Sequence, residues 1–268
     1  MIKKNIIILL FVLILFINIF YLYPDYNRQN KNIKLINELT EKKVLKKPED
    51  FPKNNFDDIY KKGNYYYQLS NPIQKNMGFD DYKIEADSKT FRLFSVNSVF
   101  GVDKNNLFIR LQKVDEIPNF DLSKLKILGD IDYLFIYNNQ LYRIDLDYHI
   151  QKQDVSFIGN RIIDISTLKW VGKIKDYADE YDVLKDKNFV YLVDRDVSNE
   201  NCVANMKYKD GVFVKNRGWI TYIMPIYELD PKSLKILNKK IFKDIKGVYK
   251  LGNHLSVNCD MPVIEKIE

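Results

Sequence analysis

Two histidines, His149 and His254, are the chain's only imidazoles. In IDLDYHIQ the residues Asp145, Asp147 and His149 alternate, and a strand's period of two would place all three on one face, as a carboxylate–imidazole pair for acid–base work requires. Neither histidine has the His-Glu-x-x-His spacing of a zinc site, and His254 in Gly-Asn-His reads as a surface turn. VDRDVSNEN sets Asp194, Asp196 and Ser198 at alternate positions, as a calcium loop begins. Asn199 then stands where that loop needs glycine, and Asn205 where it needs glutamate. No metal site is assigned. Gly-x-Ser-x-Gly, a phosphate loop and a dinucleotide fingerprint are absent, and no Ser-x-x-Lys comes with its supporting motifs. The reading is of no catalytic residue and no cofactor.

Cys202 and Cys259 are the only cysteines. A bridge between them would close a loop of 57 residues and contribute about 4 kcal/mol through chain entropy. The alternative is two thiols, and an oxidising compartment favours the bridge. Trp170, Trp219 and the run Tyr65, Tyr66, Tyr67 offer either a ligand platform or sheet packing, and alternation along a strand favours packing.

The elements that must position these groups are strands. Aromatic residues make up 14% of the chain, with 19 tyrosines, and only 10 glycines occur; this composition suits pleated, half-buried surfaces. Six stretches place a turn-prone Asn, Asp or Gly group between apolar runs: residues 58–69, 98–111, 132–145, 181–194, 205–216 and 247–258. Asn-Asn, Asp-Gly and Gly-Asn tolerate the positive φ of primed turns, so each is read as a hairpin. Between them recur DSKTFRLF from Asp87, DLSKLKIL from Asp121, DISTLKWV from Asp164 and DPKSLKIL from Asp230. Each opens with an Asp whose carboxylate can accept an amide two residues on, and a strand leaves the turn. The spacing suggests an eroded period of roughly 35–42 residues. The expected fold class is all-β: an array of hairpin repeats, propeller-like or an open stacked sheet, behind one N-terminal transmembrane helix.

The units KKGNYYY (61–67), DKNNLFI (103–109) and DKNFVYL (186–192), with the Asp turns between them, resemble the DKNYY family of repeat-containing bacterial exported proteins. The resemblance spans roughly residues 58–258. It implies a repeat architecture and carries no activity, catalytic residue or cofactor with it.

The chain opens MIKKNIIILLFVLILFINIFYLYP, and Ile6 to Tyr23 is apolar but for Asn18 and long enough, at roughly 27 Å as a helix, to cross a hydrocarbon core. Lys3 and Lys4 precede it, which keeps the N-terminus cytoplasmic and sends the remainder across. No Ala, Gly or Ser occurs before Gly63 to offer a peptidase site, so residues 1–23 are read as a retained signal anchor. Residues 24–56, with Pro24, Pro48, Pro52 and a basic run, are read as a stalk with a short helix around Ile36 and Leu39 that Pro48 ends. Residues 57–268 form the repeat domain. A net charge of +6 with interspersed Lys and Asp lacks the basic stripe that grips nucleic acid. The expected protein is a single-pass membrane protein with its C-terminal domain outside the cytoplasm. It binds an unknown protein or envelope polymer and has no catalytic activity. Two other readings stand beside this one: an envelope hydrolase with Asp147 and His149 in a site assembled across repeats, and a protein that neutralises a toxin or other secreted partner.

Overall fold

The computed structural model describes residues 23–51, 59–68, 80–131, 133–144, 150–152, 163–176, 179–197, 212–216, 219–238, 240–256 and 259–268. They are mostly β-strand, arranged in several small antiparallel sheets with one helix. The chain divides into two compact units, Met1–Lys124 and Leu125–Glu268.

The first unit begins with α1 (Tyr23–Glu41), followed by β1 (Leu45–Lys46), β2 (Ile59–Lys62), β3 (Tyr65–Gln68), β4 (Tyr82–Ile84), β5 (Arg92–Phe94), β6 (Phe100–Val102), β7 (Leu107–Ile109) and β8 (Gln112–Lys113). Strands β2, β3 and β4 pair in that order, and β1, β5, β6, β7 and β8 make a second sheet. Tyr66, Ile84, Phe91, Leu93, Phe108 and Leu111 join the two sheets in one apolar core, in which the Phe91 and Phe108 rings meet edge to face at 5.1 Å.

In the second unit β9 (Leu125–Ile127), β10 (Leu134–Tyr137), β11 (Gln140–Ile144) and β12 (Ile150–Lys152) form a four-stranded meander. Next come β13 (Lys169–Asp176), β14 (Asp179–Lys185), β15 (Val190–Val197), β16 (Val212–Asn216) and β17 (Trp219–Ile226), and then β18 (Lys235–Ile236), β19 (Ile241–Asp244), β20 (Gly247–Ser256) and β21 (Cys259–Lys266). The order β13-β14-β15-β17-β16 makes the middle sheet and β18 to β21 the last meander. Strand β15 shows why the sequence reads FVYLV without polar interruption. Its Tyr191 and Val193 pack toward Leu134, Ile136 and Leu141 of the preceding sheet. Its Val190 and Leu192 pack toward Phe242, Leu251 and Ile264 of the following one. Successive side chains point to opposite faces, so a strand covered on both sides has no polar position to alternate with.

The hairpins expected at 58–69, 98–111, 132–145 and 181–194 are present as β2–β3, β6–β7, β10–β11 and β14–β15. Gly63, Asn138 and Asn139 take the positive φ that their turns require. One expectation changes. Gly252 and Asn253 are not a turn: β20 runs through them, pairing Gly252 with Val263 and His254 with Met261. The turn lies earlier, at Asp244–Gly247, where Gly247 has φ 152°. At 205–216, β16 pairs with β17, and the first half of the expected hairpin, residues 205–211 with their Asp-Gly, lies outside the described residues.

Where a stalk is expected, the chain folds onto the first unit. Helix α1 runs to Glu41 and stops before Pro48, with Lys43 left-handed and the Val44 amide bonding the Leu39 carbonyl; Pro48 opens a 3-10 turn instead. Asn32 and Ile36, one turn apart, are fully buried, as is Leu45. No helix among the described residues is long and apolar enough to cross a membrane. The expected signal anchor lies outside the described residues but for Tyr23, where α1 begins.

Candidate functional site

The recurrent Asp residues build one device three times among the described residues. In the first copy the hairpin residue Asp103 is buried, and its Oδ1 accepts the amides of Asn105 at 2.7 Å and Asn106 at 2.8 Å. Its Oδ2 accepts the amide of Asp87, the residue that opens the preceding Asp turn, at 2.9 Å. Asp87 in turn accepts the Lys89 amide at 3.0 Å, the two-residue bond expected from sequence. The return contact is the Lys104 amide on the Thr90 hydroxyl at 3.2 Å, with the Lys104 ammonium 2.9 Å from Asp87.

The second copy repeats this atom for atom. Asp186 accepts Asn188 at 2.6 Å, Phe189 at 2.8 Å and the Asp164 amide at 2.9 Å. Asp164 accepts the Ser166 amide at 3.1 Å, Thr167 accepts the Lys187 amide at 3.1 Å, and Lys187 pairs with Asp164 at 2.8 Å. Asp186 also accepts the Tyr191 hydroxyl at 2.6 Å. In the third copy Asp244 accepts Lys246 at 2.7 Å, Gly247 at 3.1 Å and the Asp230 amide at 2.6 Å, and Ser233 accepts the Ile245 amide at 2.9 Å. Two turns that leave their amides unpaired by any ladder thus satisfy each other.

The electrostatics follow from these partners. Burial pushes the Asp103 carboxyl above the usual carboxylate range, although its amide donors pull the other way. The Lys187 ammonium and the Ser166 hydroxyl hold Asp164 well below that range. Burial and then the Asp186 carboxylate push the Tyr191 phenol far up, so it stays a donor. Such saturated carboxylates are fixed acceptors, and chemistry on a substrate would have to displace backbone amides.

The fourth Asp turn, at Asp121, is served by α1. Lys31 bonds Asp121 at 3.3 Å and Ser123 at 2.9 Å. Asn32 donates to the carbonyls of Lys104 at 2.9 Å and Phe120 at 3.0 Å and accepts the Leu122 amide at 3.0 Å. The helix supplies here what a hairpin supplies to the other Asp turns.

One surface carries chemistry left over from this scaffold. Tyr66 and Ile84 face the core of the first unit, so the pleat turns Tyr60, Lys62, Tyr65, Tyr67 and Lys83 to the opposite face of β2–β4. Register sets Tyr60 beside Tyr67, Lys62 beside Tyr65, and Tyr67 beside Lys83. The Tyr60 and Tyr67 rings stack at 5.5 Å and 20°. The Tyr60 hydroxyl donates to Asp81 at 2.9 Å, which holds that phenol above its ordinary range. Tyr65 is 46% exposed, with the Lys83 ammonium 3.5 Å from its ring centroid.

The other residues singled out from sequence are spread along the chain. Asp145, Asp147, His149, Ser198, Asn199, Cys202 and Asn205 lie outside the described residues. His254 is in β20, Cys259 opens β21 and Trp219 opens β17, while Asp194 and Asp196 lie two apart along β15. Trp170 packs: its ring lies against Gly129, and its Nε1 donates to the buried Asp182 at 3.1 Å, which also accepts the Tyr133 hydroxyl at 3.1 Å. Sequence reasoning placed each Asp turn but missed its hairpin partner, which lies 16, 22 or 14 residues on. The signal was there as DKN or DIKG following three of the four Asp turns, those at Asp87, Asp164 and Asp230. No family model, curated protein or solved structure matches this chain.

Proposed function

We propose that this protein is a membrane-anchored, extracytoplasmic binding module without catalytic activity, whose repeats form a rigid scaffold. The observation that carries this reading is the fate of the recurrent aspartates: Asp103, Asp186 and Asp244 are buried and spent on backbone amides, so the repeated motif serves architecture. The Tyr/Lys face of β2–β4 is what the scaffold offers to a partner. The four-stranded meanders in the second unit fit a propeller-like array or an open stack, and the resemblance to the DKNYY exported proteins agrees with either. The apolar segment from Ile6 runs up to Tyr23, where α1 begins, and Asn32 docks that helix on the first unit. The anchor therefore holds the scaffold near the membrane surface, in a compartment where Cys202 and Cys259 would pair.

Fractionation with a protease-protection arm tests the placement. The full chain is expected in the membrane fraction, with its C-terminal domain digested from the extracytoplasmic side only. Recovery of intact chain from cytosol would contradict it. Crosslinking in envelopes followed by capture is expected to return a partner, and bait alone would remove the binding reading.

A further inference from the structure

We propose that the outer face of β2–β4 binds an acidic glycan, with sugar rings lying on Tyr60, Tyr65 and Tyr67 and their carboxylate or phosphate groups meeting Lys62 and Lys83. This rests on the binding-module reading and names its ligand class. On this face Tyr65, Lys62 and Lys83 are exposed and Tyr60 and Tyr67 are half-buried, and aromatic rings gain most when an apolar surface covers them. Sugars present such a surface on their C–H faces and carry anions at the edges. The rings are held ready: Asp81 fixes the Tyr60 hydroxyl, and Tyr60 in turn stacks on Tyr67 at 5.5 Å. Preorganised aromatic side chains lose little entropy on binding. The Lys83 ammonium lies 3.5 Å from the Tyr65 ring centroid and covers one face of that exposed ring. On binding, a sugar face takes the place of the ammonium, and the flexible lysine turns to the ligand's anion. The opposite face cannot serve, because Tyr66 and Ile84 there are in the core.

Affinity electrophoresis of the full chain in mild detergent tests this, with gels containing polygalacturonate, phosphorylated dextran, plain dextran or inorganic polyphosphate. The expected result is retardation by either or both of the two acidic glycans and by neither plain dextran nor polyphosphate; which acidic glycan retards identifies the anion. Tyr65→Ala and Lys83→Gln should each weaken retardation at least about tenfold while leaving the thermal melt unchanged, since both side chains are exposed. Retardation by polyphosphate that Tyr65→Ala does not alter would reduce the face to a charge patch and overturn the proposal. Absence of retardation in every gel would also overturn it. If envelope crosslinking still returned a partner in that case, the binding-module reading would stand without this ligand.

Discussion

Removing the carboxylate of Asp186 should unlock one module while leaving its apolar packing in place. Asp186→Ala deletes the acceptor for the amides of Asn188, Phe189 and Asp164 and for the Tyr191 hydroxyl. Each polar group left unpaired in a buried setting costs about 1–3 kcal/mol. Asn188 is exposed and its amide can rehydrate, so three groups carry the loss. Tyr191 is fully buried, and its hydroxyl has no route to water. Partial hydration of the turn trims the sum, and about 3–5 kcal/mol is expected in total. Asp186→Asn keeps the shape and one oxygen but turns an N–H₂ toward a donor, so about 2 kcal/mol is expected. Tyr191→Phe removes one bond and should cost about 1 kcal/mol. Urea unfolding of the full chain, followed by far-UV circular dichroism, ranks the three. If Asp186→Ala unfolded within about 0.5 kcal/mol of wild type, or Asp186→Asn matched wild type, the latch would not be what holds the hairpin.

Two further outcomes follow from the same contacts. Asn32→Ala strips three hydrogen bonds from a fully buried side chain and should destabilise the first unit by about 2–4 kcal/mol, speeding hydrogen exchange at the Leu122 amide; a merely tethered α1 would leave that exchange unchanged. The Asp164 carboxyl is held below its unfolded value by Lys187 and Ser166, so its contribution is present above the ordinary carboxylate range, about pH 4, and is lost as pH falls through its folded value. Asp164→Asn should therefore melt earlier than wild type near neutral pH, with the gap closing in strong acid. A gap undiminished at about pH 2 would mean that the charge is not the cause.

The hairpins were legible because their signals are local. Asn138 and Asn139 tolerate positive φ and adopt it here, and the apolar runs on either side leave a primed turn as the natural solution. The Asp turns were legible for the same reason, their amides lying within three residues. The latch was not, because Asp103 and Asp87 meet across a strand and a connection whose length differs in every copy. Gly252-Asn253 misled because Gly-Asn favours a turn wherever it occurs, whereas the cross-strand pairing of β20 with β21 continues past it and overrides that local preference. The docking of α1 was hidden in Asn32, a polar residue on a largely polar helix, whose burial makes sense only with the Phe120 carbonyl and the Leu122 amide beside it. The Tyr/Lys face needed the strand register, which decides that Tyr66 turns inward and Tyr65 and Tyr67 outward.

Native-state hydrogen exchange of the amides of Asp87, Asp164 and Asp230 tests the aspartate latch most directly, because each donates to the hairpin aspartate of its own module. All three lie in turns outside the strand ladders, where an unlatched amide would exchange freely. The scaffold described above predicts that they are protected to the same degree as the neighbouring strand amides. Exchange of all three at the rate of an open loop would contradict it.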